Sequence, residues 1–544
     1  MHSWLKTILV LPLLALLLAA CGKSSSPDVL PSGLLPPERS LSVLAGSELK
    51  DVEPLLTKLE AETGIRLKFE YAGTLDGVER LQGGEVFDAA WFSHAKYLML
   101  DPSTRAKIKA SEKIMLSPVV LGVKESRFKA LGWDKITDKQ VELTWKDVAE
   151  AAAAGQFNFA MTSPASSNSG FSALMGVAAA FAGKADALTE QDVAKLNLTG
   201  LFKGQKLTAG SSGWLAERYI AEADRLDGMI NYESVLLGLN AGTPGVPPLK
   251  DKFRLVYPRD GIVTADYPLL LINESKRAAY DKVVAWLKSE ATQHALVRDT
   301  RRRPVNPSVV VGKGVFPDAL LAELPFPGKI EVVNSLLLSY LNDQRRPAHA
   351  FFVLDVSGSM DGERLQGLRN ALTSLSGGDT SLTGRFARFQ NRERISLIPF
   401  SSRVEKDLLL AADMGQTSKD NDRTLAQIRD YAGRLEIRGG TALYDAVAEA
   451  YRQTAVAMKA DPQRYYTIVA MTDGESNEGM NLAEFKRFYA SLPPDVRAAK
   501  VFTVLFGDGN AGELQALAEL TGGRMFDSRK TALATMFKGI RGYQ

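Results

Sequence analysis

The stretch that decides the fold of the C-terminal part of the chain is Ala350–Met360, which reads AFFVLDVSGSM. Its unbroken apolar run is typical of a central parallel strand that is covered by helices on both faces. An amphipathic helix is predicted after it, from about Arg364 to Leu375. Similar strands are predicted at Ile395–Phe400, Tyr466–Met471 and Val501–Phe506. We therefore expect a doubly wound α/β sheet, which binds ligands at the carboxyl ends of its strands.

Polar oxygen donors occur where those carboxyl ends are expected. Asp355–Ser359 follows the first strand, Thr472–Glu475 follows a later one, and Gly439–Asp445 opens the helix between them. Carboxylate and hydroxyl oxygens are hard donors that suit Mg²⁺, with Mn²⁺ or Ca²⁺ as alternatives, better than zinc or copper. These stretches are therefore where a ligand of the sheet is expected.

Residues 348–544 resemble the von Willebrand factor type A (VWA) family, on the motifs Asp355–Met360, Gly439–Asp445 and Thr472–Glu475. The resemblance implies a Rossmann-like domain with a complete metal-ion-dependent adhesion site. By that resemblance the metal ligands are Asp355, Ser357, Ser359, Thr441 and Asp473. It also implies a protein partner that offers an acidic side chain to the metal.

The preceding region, residues 40–345, alternates short apolar runs with amphipathic helices, which is α/β order. It resembles a two-lobed, periplasmic-binding-protein-like solute-binding protein, with lobes at about 40–115 plus 260–345 and at 116–259. The supporting motifs are Ala45–Ser47, Thr63–Ile65, Val86–Asp88, Ser117–Val120, Asn231–Ser234 and Val256–Pro268.

A hydroxyl-rich segment, Thr162–Gly170, precedes a predicted Ala-rich helix at Phe171–Ala182. Free N–H groups and hydroxyls at a helix start can hold an oxyanion, so a small solute or oxyanion is expected in a cleft between the lobes. The candidate ligand-binding residues are Ser47, Ser93, Ser163, Ser169 and Gly170. The alternative, that these are ordinary caps and turn residues, stays open.

The first 39 residues predict export and anchoring. Lys6 precedes the short apolar run Ile8–Ala20, which is typical of a signal peptide over residues 1–20. The run ends in a segment that resembles a bacterial lipobox, and it places the only cysteine, Cys21, at the lipidation position. We expect a lipid anchor on Cys21, a flexible stalk over residues 21–39, and a cell-envelope location facing the periplasm or the exterior.

The composition of the chain argues against several classes of function. The 544 residues carry a net charge of +3, which gives no reason to expect a nucleic-acid partner. Four scattered histidines, one cysteine and no recognisable catalytic motif argue against an enzyme. We expect a membrane-anchored lipoprotein that binds protein partners through the metal. The alternative is a solute-binding lipoprotein of an ABC-type transporter or sensor, with the VWA domain as an accessory.

Overall fold

Three β-sheets organise the part of the chain that the computed structural model describes. The structure describes residues 40–137, 143–242, 247–319, 321–474, 476–507, 509–530 and 533–543. The strands are β1 (Ser40–Ala45), β2 (Arg66–Tyr71), β3 (Ala89–Trp91), β4 (Ala110–Lys113), β5 (Met115–Lys124), β6 (Phe159–Thr162), β7 (Gln205–Ala209), β8 (Gly228–Tyr232), β9 (Phe253–Val256), β10 (Thr264–Ala265), β11 (Pro268–Leu271), β12 (Arg303–Pro304), β13 (Ala348–Asp355), β14 (Arg394–Phe400), β15 (Leu410–Asp413), β16 (Tyr465–Thr472), β17 (Lys500–Leu505) and β18 (Met525–Asp527).

Helices cover these sheets. They are α1 (Glu53–Thr63), α2 (Thr74–Gln82), α3 (Lys96–Leu100), α4 (Pro102–Lys107), α5 (Glu125–Ala130), α6 (Trp133–Thr137), α7 (Trp145–Ala153), α8 (Asn168–Ala182), α9 (Glu190–Lys195), α10 (Thr199–Lys203), α11 (Ser212–Ala221), α12 (Glu233–Ala241), α13 (Arg277–Lys288), α14 (Glu290–Thr300), α15 (Ile330–Ser339), α16 (Glu363–Thr373), α17 (Leu382–Ala387), α18 (Ser418–Gly433), α19 (Leu443–Ala460), α20 (Leu482–Ser491), α21 (Pro494–Arg497), α22 (Ala511–Thr521) and α23 (Leu533–Arg541).

The first two sheets form the two lobes. Lobe one has the strand order β2-β1-β3-β11-β4, and lobe two has β10-β5-β8-β6-β7 with β9 and β12 also paired to β5. The chain passes from lobe one to lobe two between β4 and β5, and it returns between β10 and β11. Lobe one is therefore built from two separate stretches of sequence.

The third sheet belongs to the C-terminal domain and has the order β15-β14-β13-β16-β17-β18. All of its pairings are parallel except that of β15 with β14. All eight residues of β13 are buried, as its apolar sequence predicts for a central strand. The predicted strands are confirmed as β14, β16 and β17, and the helix expected after the first strand is α16.

Lobe two and the C-terminal domain share a hydrophobic core. Leu207 and Tyr219 of lobe two belong to the same buried cluster as Phe502 and Phe537 of the C-terminal domain. The rings of Trp214 and Tyr543 lie with their centroids 4.4 Å apart. The domain boundary that the sequence predicts near residues 345–348 thus separates the sheet of the C-terminal domain from those of the lobes. The hydrophobic core, however, is continuous across this boundary.

Among the described residues, no helix combines the length and apolar character needed to cross a membrane. The expected signal peptide, Cys21 and the stalk lie outside the residues that the structure describes.

Candidate functional site

The loop after β13 carries the first three predicted metal ligands. The amide of Ser357 donates a hydrogen bond to Oδ1 of Asp355 at 2.8 Å, which folds the loop back over the strand end. The hydroxyl oxygens of Ser357 and Ser359 lie 3.1 Å apart. Asp355 and Ser357 are fully buried, whereas Ser359 is exposed. The three side chains therefore face a common point at the carboxyl edge of the sheet.

The neighbouring strand β16 adds a second carboxylate. Thr472, its last residue, donates from Oγ1 to Oδ2 of Asp355 at 2.5 Å, and Asp473 follows directly. Burial raises the pKa of Asp355 to about 6; hydrogen bonds from Ser357 and Thr472 oppose the rise, and the charge of Asp473 adds to it. The two carboxylates are thus close enough to repel each other.

Thr441 reaches the same edge from the loop before α19. The amide of Gly358 donates to the carbonyl of Gly439 at 3.0 Å, which joins this loop to the one that follows β13. The amide of Thr441 donates to Oδ1 of Asn477 at 2.8 Å, and the Thr441 side chain is buried. The structure therefore places the loop that carries Thr441 beside the loop that carries the first three predicted ligands.

Sequence reasoning missed Arg364, on the first turn of α16. Its Nη1 donates to Oδ2 of Asp473 at 2.9 Å and to the carbonyl of Ser359 at 2.8 Å. The other carboxylate oxygen of Asp473, Oδ1, is buried and has no hydrogen-bond partner in the described part of the chain. No motif marks Arg364 in the sequence, because its role depends on how α16 packs beside β16.

These residues fit a hard divalent cation. The described ranges contain no group of three or more His, Cys, Asp or Glu side chains that could hold a metal ion. They therefore offer no candidate for a metal site that is built mainly from histidine, cysteine or carboxylate ligands. The buried Oδ1 of Asp473 has no hydrogen-bond partner among the described residues. The buried carboxylate of Asp355 accepts hydrogen bonds from Ser357 and Thr472 but forms no ion pair in that part of the chain. Carboxylate and hydroxyl oxygens are the donors that Mg²⁺ and similar ions accept.

The second candidate region is the cleft between the lobes. Oδ1 of Asn168 in lobe two accepts a hydrogen bond from the amide of Thr74 in lobe one at 2.6 Å. Its Nδ2 donates to Oε1 of Glu48 at 2.8 Å. A cavity of about 210 Å³ lies beside these contacts, and Ser47 and Ser163 line it. The lobes therefore meet directly and still enclose a space.

The other three predicted cleft residues do not line this cavity. Ser169 is buried and bonds to the hydroxyls of Thr162 at 2.8 Å and Ser212 at 2.7 Å. Gly170 packs against the carbonyl of Thr162, and Ser93 is fully buried. Helix α8 also begins at Asn168, earlier than predicted.

Two carboxylates, Glu48 and Asp76, line the cavity. Its walls consequently suit an oxyanion less well than the hydroxyl-rich sequence predicts, because a carboxylate repels an anion at short range.

Comparison with known proteins agrees with this architecture. Residues 41–299 match the family model of bacterial extracellular solute-binding proteins, and residues 351–538 match that of the von Willebrand factor type A domain. The predicted fold class is confirmed: the protein is an α/β chain with a periplasmic-binding-protein-like N-terminal region and a C-terminal VWA domain. The first match suggests a periplasmic or extracellular location and a small solute as ligand. The second suggests protein interaction, and VWA domains usually bind a divalent metal.

Curated relatives are distant. Inter-alpha-trypsin inhibitor heavy chain H4 of Sus scrofa is 27% identical over 158 residues, which cover 28% of this chain and 15% of the relative. An uncharacterised protein of Synechocystis is 29% identical over 178 residues, which cover 32% of this chain and 36% of the relative. The chain thus spans only a minor part of the length of these relatives.

Solved structures with similar folds include the periplasmic binding protein AfuA from Actinobacillus pleuropneumoniae. It is 14% identical with a TM-score of 0.41, and the match covers 56% of this chain and 98% of that one. A von Willebrand factor type A protein from Catenulispora acidiphila is 20% identical with a TM-score of 0.29, covering 37% of this chain and 43% of that one.

Proposed function

We propose that the protein is a membrane-anchored envelope lipoprotein that binds protein partners through a divalent metal, most favourably Mg²⁺, held at its VWA domain. The observation that carries the proposal is that Asp355, Ser357 and Ser359 meet at the carboxyl edge of the third sheet. Asp473 and the loop of Thr441 lie beside them. The role is binding, not catalysis. The anchor is the lipid on Cys21.

The residues that would hold the metal are Asp355, Ser357, Ser359, Thr441 and Asp473. When bound, a divalent ion supplies a Lewis-acidic position that an Asp or Glu of the partner can occupy. The chain's own residues prepare for this, since Thr472 orients Asp355 and the Ser357 amide fixes its other oxygen. The exposed Ser359 leaves one side of the site open to a partner.

Affinity capture from envelope extracts tests this proposal. The full-length protein is immobilised and incubated in Mg²⁺ or in EDTA, and captured proteins are identified by mass spectrometry. We expect a partner that is retained in Mg²⁺, released by EDTA and absent with Asp355→Ala. Asp422→Ala, which changes an exposed carboxylate on α18, is the matched control. A partner retained equally by Asp355→Ala, with or without metal, would contradict the proposal.

A second function, solute binding for an ABC-type transporter or sensor, is favoured by the cavity between the lobes. Co-purification of the full-length protein with a permease, unaffected by EDTA, would support this reading. In that case the VWA domain would be an accessory.

A further inference from the structure

The cavity between the lobes has a third wall, which the VWA domain provides. We call this space the junction cavity. Lobe one contributes Glu48 and Asp76, lobe two contributes Ser163 and Ser166, and helices α17 and α23 supply a further wall. The residues of that wall include Thr383, Phe386, Lys538, Gly539, Arg541 and Gly542.

Helix α23 and the residue after it approach lobe two closely. A Cβ atom at Gly542 would lie 2.4 Å from Oγ of Ser166, so the backbone there reaches the hydroxyl-rich loop only because it carries no side chain. That Oγ is itself buried and has no hydrogen-bond partner among the described residues. The third wall is thus in van der Waals contact with the cleft.

The same wall is tied to lobe one through Glu79 on α2. Glu79 accepts a hydrogen bond from the amide of Thr383 at 2.9 Å, and its carboxylate lies 3.4 Å from Nζ of Lys538. The Lys538 side chain is only 17% exposed. Because the wall contacts both lobes, separating them would also break contacts with the VWA domain.

The charges that face the junction cavity are unbalanced. Lys538 is paired with Glu79, and Arg541 donates to both carboxylate oxygens of Glu393 at 2.7 and 2.6 Å. Neither Glu79 nor Glu393 lines the cavity, whereas Glu48 and Asp76 do. Arg541 shares Glu393 with Arg345, so the two wall cations are only partly compensated, and neither Glu48 nor Asp76 forms an ion pair in the described part of the chain.

The surroundings of Glu48 and Asp76 agree with this imbalance. Burial raises the pKa of both carboxyl groups, which indicates that neither has enough compensating charge. Arg302 lowers the pKa of Glu48, but its own Nη1 is paired with Asp51 at 2.7 Å. Lys538 likewise lowers the pKa of Asp76, but Lys538 is also paired with Glu79.

We propose that the junction cavity binds a small organic cation, a primary or quaternary ammonium compound, between the two lobes and the VWA domain. Glu48 and Asp76 provide the charge that the cation neutralises, and Lys538 limits its affinity by repulsion. The inference rests on the solute-binding part of the proposed function and adds the chemical class of the solute. It also assigns the VWA domain a direct part in the solute site.

Isothermal titration calorimetry on the full-length protein in detergent, with EDTA present, tests this inference. The probes are ethanolamine, choline and putrescine, compared with acetate, glycolate and phosphate. We expect at least one ammonium compound to bind with a Kd below about 1 mM and the anions to give no heat. If the anions bind in preference, the cation proposal fails while a solute-binding role survives. If none of the six probes binds, the cation proposal is overturned.

Charge-neutralising variants then locate the site. Glu48→Gln and Asp76→Asn should each weaken ammonium binding by about tenfold or more. Lys538→Gln should tighten it several-fold, because repulsion falls; a merely structural role of Lys538 would weaken binding instead. Glu436→Gln, an exposed residue of the VWA domain, is the control and should change nothing.

Circular dichroism and thermal unfolding check that each variant is folded. Unchanged affinity in both Glu48→Gln and Asp76→Asn would overturn the proposal. Partner capture by the metal site is measured separately with Asp355→Ala, so failure of either proposal can be recognised without the other.

Discussion

Nη1 of Arg364 lies 2.9 Å from Oδ2 of Asp473, so a cation of the chain itself contacts a carboxylate of the candidate metal site. The same nitrogen donates to the carbonyl of Ser359 at 2.8 Å. The Arg364 side chain is 34% exposed, whereas that of Asp473 is 3% exposed. Arg364 therefore holds one oxygen of Asp473 from the solvent side and leaves Oδ1 for another partner.

We predict that Arg364→Gln binds divalent metal more tightly than the wild type. Removing a positive charge beside the site lowers the repulsion of the metal by about 1 kcal/mol, which corresponds to roughly fivefold in Kd. Calorimetric titration with Mn²⁺ measures the change. Arg369→Gln, which changes an arginine farther along α16, is the control. Weaker binding by Arg364→Gln would show that the arginine mainly orients Asp473.

The five ligands should differ in their contributions to metal binding. Asp355→Ala removes one of only two carboxylates, so we expect it to abolish Mn²⁺ binding. Ser357→Ala and Thr441→Ala each remove a neutral donor that water can replace in part, and each should cost about 1 kcal/mol. The control is again Asp422→Ala. A Ser357→Ala variant with weaker binding than Asp355→Ala would contradict this ranking.

The place of the candidate metal site could be predicted from the sequence because the ends of buried strands can be recognised in an α/β pattern. Buried apolar runs fix where β13 and β16 end. Asp355, the last residue of β13, and Asp473, which directly follows β16, must therefore share one edge of the sheet. The choice of Thr441 within Gly439–Asp445 rests on the family resemblance, since its loop lies far from both strands in sequence.

The sequence could not identify the cleft residues to the same degree. Ser47 and Ser169 occur in similar turn-like contexts, yet Ser47 lines the junction cavity and Ser169 bonds to other buried hydroxyls. Which way a turn hydroxyl points depends on tertiary packing. The wall formed by α23 was also unpredictable, because it depends on a contact between Gly542 and Ser166 across 376 positions of sequence.

Anchoring is predicted to depend on Cys21, the only acylation position that the sequence offers. Cys21→Ser should move the protein from the detergent phase to the aqueous phase. The reason is that acyl chains contribute about 0.8 kcal/mol to membrane binding for each buried methylene, and the variant cannot carry them. Phase partitioning in a detergent that separates on warming measures the shift. Ser24→Ala, in the predicted stalk, is the control. A Cys21→Ser protein that is cleaved and still partitions with membranes would contradict the lipid anchor.

Acid should destabilise the protein through His94, which is fully buried between the rings of Phe171 and Phe326. Burial, assisted by the charge of Lys96, lowers the pKa of His94 to about 3. An unfolded histidine has a pKa of about 6.5, so between these values the unfolded chain binds a proton that the folded chain excludes. The contribution of neutral His94 to the free energy of unfolding is therefore complete above about pH 6.5 and is lost as the pH falls toward 3.

His94→Gln cannot take up this proton and can retain a polar contact with Ser172, whose Oγ lies 3.1 Å from Nε2 of His94. We expect the variant to be less stable than the wild type at pH 7 and to lose about 2 kcal/mol less of its free energy of unfolding between pH 7 and pH 5. Urea unfolding at the two pH values measures this. His294→Gln, which changes a half-exposed histidine on α14, should leave the pH dependence as in the wild type. Equal pH dependence in His94→Gln and the wild type would show that the burial of His94 does not control acid stability.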